Sequence, residues 1–286
     1  MIIAKTIAET RKVISHGRAA CKSIGLVATM GALHEGHMSL IGRCRSECDY
    51  TVVSIFVNPT QFGPNEDLAR YPRTFDGDCQ MCESNGVDLI FAPDDKEMYP
   101  GENLTWVDVD KLSAHLCGAS RQGHFRGVCT VVAKLFNIVQ PDFAYFGEKD
   151  AQQLAIIGRM ISDLNIPVEI RSCPTVRAED GLALSSRNKN LDPQQRKQAC
   201  CLYQALNKAR ALIRAGQVES SVIIEAMAEV IARQPQAQID YISIVDSNLL
   251  QPIKQIDRPV LIALAVRVGG TRLIDNIIID PGQKNT

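Results

Sequence analysis

No block of lysine or arginine occurs in this chain, and 31 basic against 32 acidic residues leave a net charge of −1. That balance argues against a nucleic-acid groove, while leaving room for a local basic site. No apolar run reaches the length of a membrane span, and the opening Met1-Ile-Ile-Ala-Lys-Thr6 lacks the charged, apolar and cleavage regions of a signal peptide. A cytoplasmic protein without a membrane partner is expected. Gly-x-Gly-x-x-Gly is missing, which removes the dinucleotide fingerprint. Gly31 and Gly36 have the spacing of a Walker A loop, but His37-Met38 follows where Lys-Ser/Thr is required, so a kinase-type P-loop is excluded too. Histidines number five, and no acidic or cysteine partner stands at a recognisable metal spacing around His34 and His37. No internal repeat or low-complexity tract interrupts the chain.

Cysteine, by contrast, is plentiful. The ten cysteines fall mostly within apolar patterns of a 286-residue chain, including Cys44/Cys48, Cys79/Cys82 and Cys200/Cys201. They read as reduced core residues and not as a disulfide framework. A chain of this length can bury a sizeable core and divides most simply into one larger and one smaller domain.

The most informative stretch runs from Ile24 to Met38. A short apolar strand passes through Gly31 and Gly36 into a helix that opens on His34 and His37. Glycines let backbone approach a ligand closely. A helix start directs unpaired N–H groups and partial positive charge outward, and residues three apart share a helix face. With so few histidines, His-x-Gly-His is a roughly 0.6% coincidence. The layout suits a nucleotide triphosphate.

From residue 24 to 170, strand-like runs (25–28, 51–57, 87–92, 143–146, 168–170) alternate with helical ones (37–48, 75–84, 128–139, 151–164). The alternation predicts an α/β fold: a Rossmann-like, doubly wound parallel sheet covered by helices, with ligands at the carboxyl ends of its strands. Past residue 175 the pattern changes to helices over 193–215 and 220–233 and strands over 240–245, 260–268 and 271–278. Gly269-Gly270 marks a hairpin between the last two. The expected domains are 1–175, binding nucleotide and acceptor, and 176–286, a smaller α+β lid. Only the polar end 282–286 reads as frayed.

Several groups gather at the predicted strand ends. Lys149 follows an apolar strand, where an ammonium can reach phosphate oxygens, and Asp150 with Gln153 also fits a helix capping box. Ser185, Ser186 and Arg187 follow Asp180-Gly181 in a mobile connection and offer two hydroxyls and a guanidinium, although such a run is also an ordinary polar loop. Gly123-His-Phe-Arg-Gly127 is a basic turn before a helix. Gln61, in a Pro-flanked loop after a strand, can donate to and accept from a polyol or carboxylate.

The segments Thr29-Met-Gly-Ala-Leu-His-Glu-Gly-His37, Phe56-Val-Asn-Pro-Thr-Gln-Phe62, Gly123 to Gly127, Tyr145-Phe-Gly-Glu-Lys-Asp-Ala-Gln-Gln153, Leu182-Ala-Leu-Ser-Ser-Arg-Asn188 and Arg267-Val-Gly-Gly-Thr-Arg-Leu-Ile-Asp-Asn276 occur in this order. As a set they closely resemble the pantothenate synthetase (pantoate–β-alanine ligase) family, within the nucleotidyltransferases that share His-x-Gly-His. The resemblance implies ATP-dependent joining of pantoate to β-alanine through a pantoyl adenylate, releasing AMP and pyrophosphate. It further implies Mg²⁺ on the phosphates and a homodimer.

Carried over residue by residue, it places ATP against Met30, Gly31, Ala32, Leu33, His34, Glu35, Gly36 and His37, then Gly147, Glu148, Lys149 and Asp150, and Val176 with Leu184, Ser185, Ser186 and Arg187. His34, His37, Lys149 and Arg187 take the catalytic roles. Gln61 and Gln153 hold pantoate, with Asn58 in support. Ala28 and Gln122 depart from the family pattern, each standing where a proline is usual, and neither supplies a reacting group.

Overall fold

The computed structural model describes residues 1–64 and 66–282; positions 283–286 of the polar end lie outside the described residues. In chain order the elements are β1 (Ile2–Ala4), α1 (Ile7–Ala19), β2 (Ile24–Thr29), α2 (Glu35–Glu47), β3 (Tyr50–Ile55), α3 (Phe75–Ser84), β4 (Leu89–Phe91), α4 (Asp95–Met98), α5 (Cys117–Ser120) and α6 (His124–Val139). There follow β5 (Phe143–Gly147), α7 (Ala151–Asp163), β6 (Glu169–Cys173), α8 (Pro193–Ala199), α9 (Cys201–Arg214), α10 (Ser220–Ala232), β7 (Ala237–Asp246), β8 (Val260–Val268) and β9 (Thr271–Ile279). These fall into two compact units. One comprises Met1–Ser113, Arg121–Glu148 and Gln153–Pro174; the other comprises Ala114–Ser120, Lys149–Gln152 and the chain from Thr175 onward.

The first unit is built on six parallel strands in the order β1-β4-β3-β2-β5-β6. Strands covered on both faces exclude charge, and 24–27 (Ile-Gly-Leu-Val) and 51–54 (Thr-Val-Val-Ser) are buried at every position and carry none. Val27, Val53, Ile90 and Tyr145 pack with Ile41 and Cys44 of α2 and Cys82 of α3. Their neighbours Leu26, Val52, Leu89 and Ala144 are equally buried and, by the alternation of a strand, face the other side. The chain leaves β2 for β3 on one side, while β5 lies on the other. The winding therefore reverses between β2 and β5, and in such sheets the crevice at that reversal is where ligands bind.

In the second unit β7, β8 and β9 form an antiparallel sheet. Gly269-Gly270 joins Val268 to Thr271 as a two-residue hairpin, with Gly269 at φ +58°. Leu202 and Leu206 of α9, Ile223 and Met227 of α10, and Ile262 and Leu264 of β8 share its core.

Three features differ from the sequence reading. β1 and α1 were not expected, although Thr6 and Glu9 form a capping box in which Glu9 N donates to Thr6 Oγ1 and Thr6 N to Glu9 Oε2, each at 3.1 Å. The run 193–215 is two helices, because the ladder breaks at Cys200, whose N–H turns to Lys197 O. Residues 124–127 are the first turn of α6 and not a loop, since left-handed Gly123 (φ +77°) supplies the bend. All ten cysteines are free thiols and eight are buried, as a reduced core requires; burial pushes Cys44, Cys82, Cys129 and Cys201 up to about 12.

Candidate active site

β2 ends at Thr29, and the next residues make the turn that the sequence singled out. Gly31 and Ala32 both adopt positive φ, +77° and +51°, so two left-handed residues in succession redirect the chain. The carboxylate of Asp78 holds this shape. It is 2% exposed, it accepts Ala32 N and Leu33 N at 2.9 Å each, and Thr74 Oγ1 donates to it at 3.1 Å. A side chain at position 31 would place its Cβ 2.9 Å from Asp78 Oδ2, so glycine is required there on steric as well as torsional grounds. On the Asp78 side of the turn, a cavity of about 810 Å³ is lined by Met30, Gly31, Phe56, Thr74, Asp78 and Ala92, among others, and neither histidine of the turn lines it.

His34 is the N-cap of α2 and not part of the helix. Its Nδ1 accepts Gly36 N at 3.1 Å. A main-chain N–H only donates, so Nδ1 carries the lone pair and Nε2 the proton. His37 stands in the first helical turn, and the two imidazoles lie 4.1 Å apart between centroids at 42°. Four amides of the turn are used within the protein: Gly31 N donates to Thr29 Oγ1, Ala32 N and Leu33 N to Asp78, and Gly36 N to His34. Glu35 is exposed.

After β3, Asn58 and Gln61 are fixed by a buried network. Gln61 Nε2 donates to Met30 Sδ at 3.1 Å, and Asn58 Nδ2 donates to Gln61 Oε1 at 3.1 Å and to Gly127 O at 3.2 Å. Asn58 Oδ1 accepts Thr60 Oγ1 and Tyr99 Oη, each at 2.9 Å. Burial pushes the Tyr99 phenol up, which keeps it a donor. Behind this turn, Gln61 O accepts His124 Nδ1 at 2.8 Å while Arg121 Nη1 donates to His124 Nε2 at 2.9 Å. The imidazole is thus neutral with its proton on Nδ1. Arg121 in turn pairs with Glu66 through two bonds of 2.7 and 2.6 Å; burial pushes the Glu66 carboxyl up, but the guanidinium outweighs it and holds the group below its ordinary value. The first unit so brings together Met30, Asn58 and Gln61, and separately His34 with His37. Gln153 is half-buried in the first turn of α7, Gly147 ends β5, and Glu148 opens the turn that follows.

In the second unit, Lys149 and Asp150 belong to a 3₁₀ turn with their charges 3.6 Å apart. The segment expected as a mobile connection is a tight hairpin: Leu184 N donates to Val176 O at 3.0 Å and Ala178 N to Leu182 O at 2.9 Å. Gly181 turns it at φ +90°. Ser185 then caps the turn Ser186–Asn190, its Oγ accepting Arg187 N at 3.3 Å. Val176, Leu184, Ser185, Ser186 and Arg187 are all half-buried. Among the described residues no group of three or more His, Cys, Asp and Glu side chains is arranged to hold a metal, and no helix is long and apolar enough to cross a membrane.

The family model described as pantoate-beta-alanine ligase matches residues 2–278. The chain belongs to the pantoate–β-alanine ligase family. It is accordingly an enzyme of the ligase class. A pantothenate synthetase of Moorella thermoacetica is 54% identical over 280 residues, which covers 98% of this chain and 99% of the relative. The crystal structure of pantothenate synthetase from Thermus thermophilus superposes with a TM-score of 0.92 at 45% identity, covering 97% and 99% of the two chains. A pantoate-beta-alanine ligase of Francisella tularensis, solved with beta-gamma ATP and beta-alanine, gives 0.80 at 37% identity over 99% of this chain and all of that one.

Sequence reasoning missed Asp78 and the Glu66–Arg121–His124 relay within this ligase scaffold. Asp78 left one trace: Phe75, Asp78 and Cys82 share a helix face, so an acid occupies a position that periodicity reserves for an apolar side chain. The relay left none, since Glu66 and Arg121 are far apart in the chain and ordinary in type.

Proposed function

We propose that the chain joins pantoate to β-alanine in two half-reactions, with Mg·ATP as co-substrate. First, the pantoate carboxylate attacks the α-phosphorus; an O–P bond forms, the bond to the bridging oxygen breaks, and pyrophosphate leaves. Then the amine of β-alanine attacks the acyl carbon of the mixed anhydride, a C–N bond forms, AMP departs with the bond electrons, and the amine proton is lost. No protein nucleophile is required.

An anion attacking an anion demands compensation of charge on the α-phosphate and the leaving pyrophosphate, which is usually the dominant catalytic term. His34 and His37 suit that task. His34 presents an Nε2–H donor from a ring locked by the Gly36 amide, and the two adjacent imidazoles follow the end of β2, beside the sheet's reversal point. That pair is the observation that carries the proposal. Lys149 and Arg187 supply full positive charge, and Ser185 and Ser186 supply hydroxyls, to the ATP phosphates. Mg²⁺ travels with ATP as part of the substrate and spreads charge over its phosphates.

Gln61 and Gln153 pair with the pantoate hydroxyls, and Asn58 keeps the Gln61 amide turned the right way. An analogue lacking those hydroxyls leaves buried amides unpaired and is rejected. The incoming amine has an ordinary pKa of about 10, so it sheds a proton on binding, and positioning supplies much of the acceleration. The working form is a cytoplasmic homodimer.

The test is pyrophosphate release measured with and without pantoate. The wild type releases it only with pantoate, and His37→Ala and Lys149→Ala fold normally yet lose about 10²–10³ in rate. Near-normal pantoate-dependent release from either variant would overturn the assigned roles.

A further inference from the structure

The run 267–276 was singled out in the sequence, yet the proposed chemistry gives it no part. Within the second unit, side chains of β9 grip four separate segments. Arg272 pairs with Asp240 at 2.8 Å and donates to Ser120 Oγ at 3.3 Å. Asp275, 2% exposed, receives Arg177 through two bonds, Nη1 to Oδ2 at 2.6 Å and Nη2 to Oδ1 at 2.9 Å. The same guanidinium donates to Gly181 O at 3.1 Å and lies 4.3 Å over the Tyr203 ring. It thereby holds the 176–184 hairpin. Asn276, 7% exposed, donates from Nδ2 to the main-chain carbonyl of Lys149 at 2.8 Å.

A buried primary amide in a sheet strand is costly unless its hydrogen bonds are used, and this one reaches out of the sheet to the Lys149 carbonyl. The acceptor lies in a three-residue 3₁₀ turn, a form with poor hydrogen-bond geometry of its own. Lysine is a point charge on a flexible stem, so where its ammonium can dwell depends first on where its main chain is fixed. Consecutive residues of one strand thus anchor two of the segments to which the proposed function assigns phosphate contacts. Asp275 secures the hairpin through Arg177, and Asn276 secures Lys149 directly.

We propose that Asn276 is a positioning residue of the reaction, acting through Lys149. Its Nδ2–H sets the main chain from which the ammonium reaches the ATP phosphates. This rests on the role given to Lys149 above. A double-mutant cycle on ATP affinity tests it, using calorimetric titration with Mg·ATP of the wild type, Asn276→Ala, Lys149→Ala and the double variant. Asn276→Ala weakens ATP about tenfold, as expected for one lost hydrogen bond to a working group, while the KM for pantoate stays put. In the Lys149→Ala background the same substitution costs nothing more.

Unchanged ATP affinity in Asn276→Ala, or a tenfold loss that persists without the Lys149 side chain, overturns the proposal. Should Asn276→Ala fail to fold, Asn276→Asp, of equal size and without the donor, carries the same cycle. The two readings fail differently. A wild type that binds ATP but releases no pyrophosphate with pantoate ends the ligase mechanism and leaves the cycle readable, whereas a wild type that binds no ATP ends both.

Discussion

Asp78 Oδ1 accepts the main-chain N–H of Leu33 at 2.9 Å, joining the first turn of α3 to the turn that follows β2. With its other oxygen on Ala32 N, this carboxylate decides where His34 begins α2. Asp78→Ala leaves two buried amides without an acceptor and costs about 3 kcal/mol of stability, at roughly 1–3 kcal/mol for each stranded group. Asp78→Asn keeps one acceptor and costs less. Urea denaturation of the two variants measures this, and an Asp78→Ala protein as stable as the wild type would show that the turn holds without its clamp.

Gly127 tests the acceptor side. A Cβ at this position would lie 2.7 Å from Gln61 N, against backbone that cannot rotate away. Gly127→Ala therefore pushes the 58–61 turn outward and breaks the Asn58 contact to the Gly127 carbonyl. The KM for pantoate rises at least tenfold, as it does in Gln61→Ala, while the KM for ATP is little changed. Steady-state kinetics with each substrate varied in turn separates the two constants. Equal shifts in both would indicate general collapse of the first unit.

Acid sensitivity has a named source in the 176–184 hairpin. The hydrogen bonds from Arg196 hold the Asp180 carboxyl at about 2, below its ordinary 3.8. A group depressed on folding stabilises the protein fully above its unfolded value and loses that contribution as pH falls through the folded one. The contribution of this pair is thus intact above about pH 4 and disappears towards pH 2. Asp180 is exposed and Arg196 only half-buried, so solvent screening keeps it small. Arg196→Met flattens the fall in thermal midpoint between pH 4 and 2 relative to the wild type. Parallel curves would mean that other carboxylates govern acid unfolding.

How much of this could be read in advance depends on range. Strong, local signals survived: the central strands of the parallel sheet, the Gly269-Gly270 hairpin, and the placement of His34 and His37 after β2. What failed was the destination of hydrogen bonds. Nothing in the run 29–37 reveals that Asp78 consumes the amides of Ala32 and Leu33, because that partner arrives from another helix. The segment 180–188 read as a mobile connection for the same reason. Its order comes from Val176–Leu184 pairing and from Asp275 on a strand almost a hundred residues away. Thr6 and Glu9 were legible and passed over, at the cost of α1.

The central claim is that the paired imidazoles, with the cations Lys149 and Arg187, activate pantoate as an acyl adenylate. The most direct measurement supplies ATP and pantoate without β-alanine and examines the protein-bound products by mass spectrometry. The account predicts enzyme-bound pantoyl adenylate with matching pyrophosphate, absent in His37→Ala and discharged to pantothenate and AMP when β-alanine is added. Pantothenate formed at full rate with no trace of the adenylate, or with ADP and phosphate as products, would contradict it.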